Sequence, residues 1–149
     1  RKQMDLPIIA AGGIADGAGM AAAFAVGAEG IQMGTRFVSS KESPVHDNFK
    51  NYIFESSLNG TWILNKTSKP VIRALRTEFT KEILEAGEMD MSAMGKIQDL
   101  YFGGDMNAAP ALSGQSVGLI DDIKSAEEII QDTINEFNQT CSELGTLKL

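Results

Sequence analysis

The residues best suited to chemistry in this sequence are two glycine turns. Ala10-Ala11-Gly12-Gly13-Ile14 closes one short apolar run, and Gln32-Met33-Gly34-Thr35-Arg36 closes the next. Glycine lets an anion come close to the backbone, so that successive N–H groups converge on its oxygens. The hydroxyl of Thr35 offers a further donor, and a helix starting after it would add the positive end of its dipole. The chemistry these residues fit is the holding of a phosphate group. A single Gly-Gly would read as an ordinary tight turn. Two such turns, each ending an apolar run, favour a shared site. No Gly-x-Gly-x-x-Gly follows a strand, and no Gly-x-x-x-x-Gly-Lys-Ser/Thr is present, so neither the dinucleotide fold nor the P-loop fits.

The elements around the turns explain how they meet. Leu6-Pro7-Ile8-Ile9-Ala10-Ala11 reads as a strand buried on both faces, as in a parallel sheet, with Pro7 near its start. Asp16 suits a helix N-cap, Met20, Ala21, Ala23 and Phe24 line one helix face, and Gly27 ends it. A helix so rich in alanine is expected to lie close on a sheet. Gly30-Ile31-Gln32-Met33 then reads as a second strand. The sum is one βαβ unit with a right-handed crossover, which places both turns side by side at the C-terminal ends of parallel strands.

Beyond residue 40 the pattern is mainly helical. Ser43-Pro44 reads as an N-cap followed by proline at the first helical position, and Val45, Phe49, Tyr52 and Ile53 form one apolar face. Thr61–Leu64 is expected to be extended, and 69–76 irregular or short-stranded. A helix is expected over Thr77–Ala86, stopped by Gly87, and a short one around Ser92–Leu100. Pro110–Leu119 reads as a close-packed helix. Ser125 with Glu128 forms a capping box, and Ile130, Ile134, Phe137, Cys141 and Leu144 mark the apolar stripe of a last helix.

Composition narrows the partners. A formal net charge of -7 disfavours nucleic acid and anionic membranes. No apolar run approaches the ~18–20 residues that span a bilayer. Cys141 is the only cysteine, which excludes an intrachain disulfide and fits a reducing, cytoplasmic setting. The opening Arg1-Lys2-Gln3-Met4-Asp5 has no signal-peptide character and no start residue, as expected of an excerpt from a longer chain. Met89, Met91, Met94 and Met106 read as packing residues. Arg73 and Arg76 are expected in ion pairs with nearby acids, the alternative being an anionic substrate or nucleotide.

The segments Pro7–Gly17 and Gly27–Phe37, with Pro70-Val71-Ile72-Arg73-Ala74-Leu75-Arg76, Gly104-Asp105 and Ser113-Gly114-Gln115-Ser116-Val117-Gly118-Leu119-Ile120, resemble the nitronate monooxygenase family, once called 2-nitropropane dioxygenases. The same stretches are similar to its sister group, the FMN-dependent enoyl-acyl-carrier-protein reductases. The resemblance implies an α/β fold: the C-terminal part of a TIM-type (β/α)8 barrel, with 1–40 as the last βαβ unit and 41–149 as a mainly helical extension packing on it. A complete barrel takes about 250 residues. The resemblance also implies FMN, with Gly13, Gln32, Met33, Gly34 and Thr35 at its phosphate end and Gly12 shaping the turn.

On this resemblance the parent oxidises alkyl nitronates with O2, or passes hydride from NAD(P)H through FMN to an enoyl thioester. A third possibility is an inactive phosphate-binding fragment. The family's catalytic histidine lies upstream of the Gly-Gly strand. His46 is expected to be a solvent-facing helix residue, so no catalytic residue falls in this chain. Strand edges exposed in part of a barrel invite association, which leaves a homo-oligomer open.

Overall fold

In the computed structural model residues 5–147 are described; the opening Arg1-Lys2-Gln3-Met4 lies outside them. The glycine turns sit on the expected unit of β1 (Ile9–Ala11), α1 (Gly17–Ala25) and β2 (Gly30–Gln32). The strands are parallel, with Ile9 opposite Gly30, Ala10 opposite Ile31 and Ala11 opposite Gln32. Asp16 caps α1, its Oδ1 accepting from the Gly19 N–H at 2.7 Å. Strand β1 is not buried on both faces: Ile9 is 58% exposed, because its sheet has two strands among the described residues.

Helix α1 makes its tightest contact with another helix, not with the sheet. Its partner is α6 (Ala126–Thr146). A Cβ on Gly17 would lie 2.3 Å from the Phe137 nitrogen and 2.4 Å from the Thr133 oxygen. The Gly17 N–H, an orphan donor of the first helical turn, is met by Glu136 Oε2 at 2.8 Å. Phe24 and Phe137 pack with ring centroids 5.4 Å apart. The Ser125–Glu128 capping box forms as the sequence indicates. Of the expected stripe, Phe137 packs inward and the rest does not. Ile130, Ile134 and Leu144 are 50%, 43% and 55% exposed, and Cys141 is exposed, while Ile129 and Thr133 turn inward.

Helix α2 (Thr35–Val38) is a single turn, and α3 (Asp47–Phe54) buries Phe49 and Ile53 fully. It starts later than Ser43-Pro44 indicates. His46 is its N-cap, with Nδ1 accepting from the Asn48 N–H at 3.1 Å. The His46 N–H donates to the Tyr101 carbonyl, which holds the preceding segment off the helix. His46 is exposed, as expected.

Strands β3 (Thr61–Leu64) and β4 (Ile72–Leu75) form an antiparallel hairpin. Helix α4 (Glu78–Ala86) follows, capped by Thr77 and closed by Gly87 at φ 81°. Thr80, fully buried, accepts from the Thr77 N–H at 2.8 Å and donates to the Leu75 carbonyl at 2.6 Å. Replacing it with the near-isosteric valine removes both bonds. The Thr77 N–H keeps a bond to the Leu75 carbonyl at 3.1 Å. The expected loss for Thr80→Val is therefore held to ~1–2 kcal/mol. Urea unfolding measures it, and a neutral result would contradict the assigned bonds.

A 3-10 turn over Met91–Lys96 leads into α5 (Ile97–Tyr101). Pro110–Leu119 is not one helix: only Gln115–Leu119 is helical, as a 3-10 turn. The strand edge of β4 claims the rest. Ala111 accepts from the Leu75 N–H at 2.8 Å, Leu112 bridges Ala74, and the Ser113 N–H donates to the Arg73 carbonyl at 3.2 Å. The main core gathers Phe49, Ile53, Leu75, Leu100, Val117 and Ile120. A second cluster joins Leu64, Ala74, Ile83 and Met89. No described helix is long and apolar enough to cross a membrane.

Candidate phosphate-binding site

The β1–β2 register brings the two glycine turns to the same end of the sheet, since Ala11 and Gln32 are opposite and each precedes its turn. Gly12 and Gly13 have φ of 93° and 76°, a backbone that side chains with a Cβ rarely adopt. A Cβ added at Gly12, Gly13 or Gly34 would meet nothing within 4 Å. The first two glycines serve the turn, and all three leave open space beside backbone N–H groups. Gly34 has φ of -95°, so its lack of a side chain is not demanded by the backbone.

Thr35 links the turn to the far end of the chain. Its Oγ1 accepts from the Gly114 N–H at 2.8 Å. That bond uses a lone pair and leaves the hydroxyl proton free to donate. The dipole expected after Thr35 is small, because α2 has only four residues. Gln32 is exposed at the end of β2, and Met33 is half-buried.

Residues outside the glycine turns join them. Gly13, Leu58, Asn59, Gln115, Ser116 and Leu119 line a cavity of about 380 Å³. Gly118 keeps its two walls together: a Cβ there would lie 2.4 Å from both N and Cα of Leu58. The Ser113 hydroxyl, beside this loop in sequence, is buried with no hydrogen-bond partner. Such a group ordinarily finds a ligand or a water. The Ser-Gly-Gln-Ser run carries this signal in sequence. Leu58 and Asn59 carry none, because only the tertiary approach at Gly118 brings them there.

Arg36 follows the second glycine turn and is buried, donating through Nη2 to Asp122 Oδ1 at 2.5 Å and through Nη1 to the Asp122 carbonyl at 3.0 Å. Lys124 approaches the other Asp122 oxygen at 2.6 Å. Burial works against the charge on Asp122, but the bonds from Lys124 and Arg36 outweigh it and hold the carboxyl below its ordinary range. A carboxylate with a depressed pKa stabilises the fold above its unfolded pKa, and that contribution fades as pH falls through the folded one. The stability gap between the native protein and Asp122→Asn should be wide at neutral pH and close below the ordinary carboxylate range. Urea midpoints across pH test this; a gap independent of pH would remove the pair from the account.

Residues 1–136 match the family described as nitronate monooxygenase. A probable nitronate monooxygenase of Staphylococcus aureus is 30% identical over 91% of this chain and 40% of its own length. The Rhodococcus jostii (3aS,4S,5R,7aS)-5-hydroxy-7a-methyl-1-oxo-octahydro-1H-indene-4-carboxyl-CoA dehydrogenase is 29% identical over 97% of this chain and 54% of its own length. Among solved structures, FabK from Thermotoga maritima superposes with a TM-score of 0.88 at 42% identity, over 96% of this chain and 48% of that one. The chain thus spans about half the length of the relatives it matches. With a family match over most of its residues, the chain belongs to the nitronate monooxygenase family.

Proposed function

We propose that the protein containing this chain is an FMN-dependent oxidoreductase, and that this part of it holds the phosphate end of the flavin. One observation carries the reading: two glycine turns lie at the same end of a parallel pair, with open space where a Cβ at Gly12, Gly13 or Gly34 would stand. The donors fit a phosphate ester. They are backbone N–H groups of the two turns and the free proton of Thr35, with Gln32 and Met33 flanking them. In this reading the βαβ unit within 1–40 ends a β/α barrel, and 41–149 is the extension that covers its face.

Bound there, FMN would supply the redox chemistry, while the chain's own residues bind and orient. Thr35 ties the phosphate turn to Gly114, and Arg36 anchors that turn to Asp122. No residue of this chain is assigned as a base; that role goes to the family's histidine upstream. The reaction proposed first is oxidation of alkyl nitronates with O2, supported by the family match. The second reading is reduction of an enoyl thioester by NAD(P)H. The 42% identity to FabK and the CoA-linked name of the Rhodococcus relative favour it.

The deciding experiment mixes the full-length protein anaerobically with NADH or NADPH and follows the visible flavin absorbance. Bleaching by a nicotinamide would overturn the oxygenase reading. Bleaching by an alkyl nitronate alone would support it. A full-length protein that binds no flavin would refute both.

A further inference from the structure

Arg76 is not in the ion pair that its sequence surroundings indicate. Among the described residues no carboxylate lies within salt-bridge distance of it. Its neighbours hold it in place without neutralising it. Nε donates to the Thr61 carbonyl at 3.4 Å, and the guanidinium lies over the Trp62 ring, 5.1 Å from its centre. The backbone is fixed from both sides: the Arg76 N–H donates to the Gly60 carbonyl at 3.0 Å, and Tyr52 donates to the Arg76 carbonyl at 2.5 Å. Both terminal nitrogens are left without an acceptor among the described residues. Arg76 is exposed, and a guanidinium over a ring with two free nitrogens can bind a phosphate through both.

Arg76 stands on a cavity of about 360 Å³ with Tyr52, Glu55, Ser56, Ser57 and Gly60. Ser57 is exposed there and offers a hydroxyl donor. The segment 55–60 also supplies Leu58 and Asn59 to the cavity beside Gly13, so the two cavities share one stretch of chain. An alkyl nitronate has no group that calls for a guanidinium so far along this segment. A nicotinamide dinucleotide and a phosphopantetheine-linked acyl thioester both do, since each carries a phosphate ester well away from its reacting atoms. Glu55 on the same rim opposes the negative charge of any bound phosphate.

We propose that the Arg76 cavity binds the phosphate-ester tail of a second substrate, with the guanidinium as its principal contact. The proposal rests on the thioester-reductase reading above. It is tested by calorimetric titration of the flavin-loaded full-length protein with ADP and, separately, with 4′-phosphopantetheine. At least one should bind, and Arg76→Ala should weaken it by about tenfold or more, as expected for loss of a charge-assisted hydrogen bond. Arg76→Lys should fall between, and Glu55→Gln should bind more tightly than the native protein. An effect on ADP alone assigns the tail to a nucleotide, and an effect on 4′-phosphopantetheine alone to a carrier arm. Unchanged melting temperature and flavin content establish that the variants fold. Equal binding by native protein and Arg76→Ala would overturn the subsite and leave the reductase reading standing. No binding of either probe would overturn the subsite too. The reductase reading is judged separately, by flavin bleaching with NADH or NADPH.

Discussion

Gly17→Ala should destabilise the protein by about 3 kcal/mol. The Cβ would meet the backbone of α6 on two sides, at 2.3 Å from the Phe137 nitrogen and 2.4 Å from the Thr133 oxygen. Neither atom can rotate away, so relief requires α1 and α6 to separate. Separation would also stretch the Gly17–Glu136 bond and the Phe24–Phe137 contact. Alanine's helix propensity returns ~1 kcal/mol at most, which leaves the clash dominant. Gly19→Ala, in the same helix, is the control. Its Cβ would meet side-chain Asp16 Oδ1 at 3.1 Å and Ile14 Cγ2 at 3.4 Å, and no backbone atom nearer than Ile14 Cα at 3.7 Å. There propensity and crowding nearly cancel, and stability should stay within about 1 kcal/mol. Thermal melts of the two variants read the difference directly. Equal melting temperatures would mean that the helices do not approach as closely as described.

The same approach explains where the sequence was readable and where it was not. Caps were readable because they are local: Asp16, Ser125 with Glu128, and Gly87 each act within a few residues. The βαβ unit was readable because two buried-type runs and their glycines fix it together. The inward face of α6 was not. Apolar periodicity marks Ile130, Ile134, Phe137, Cys141 and Leu144, and of these Phe137 alone packs on α1, because Gly17 selects a face centred elsewhere. A glycine accepts a neighbouring backbone, and the residues presented to it are Thr133, Glu136 and Phe137. Pro110–Leu119 was misread for a related reason. Gly114 and Gly118 look like helix-packing residues, but the first donates to Thr35 and the second admits Leu58. The free edge of β4 holds 111–113 extended. At the candidate site the glycine turns were legible as chemistry. Leu58 and Asn59 were not, since nothing local marks a residue that another segment's glycine brings close.

Gly34→Ala should separate ligand binding from folding, and its expected effect on flavin affinity is tenfold or more. At φ of -95° alanine adds no backbone strain, and its Cβ has no protein atom within 4 Å. The fold should therefore be unchanged, within about 0.5 kcal/mol for such a substitution. If the empty space beside Gly34 is where a flavin phosphate rests, the methyl holds the phosphate off the backbone and at least one charge-assisted hydrogen bond is lost. Such a bond contributes ~1.5–3 kcal/mol, or roughly 10–100-fold in affinity. Gly13→Ala differs in kind. At φ of 76° it adds backbone strain of ~1–2 kcal/mol, so both stability and flavin affinity should fall. The pair discriminates because a purely structural turn would show the opposite ranking: Gly13→Ala would matter and Gly34→Ala would be silent on every measure. Flavin dissociation constants and apo-protein melting temperatures, taken together on the full-length protein, decide it. A Gly34→Ala protein that keeps native flavin affinity would leave that glycine without a role, and with it the argument that these turns cradle a phosphate.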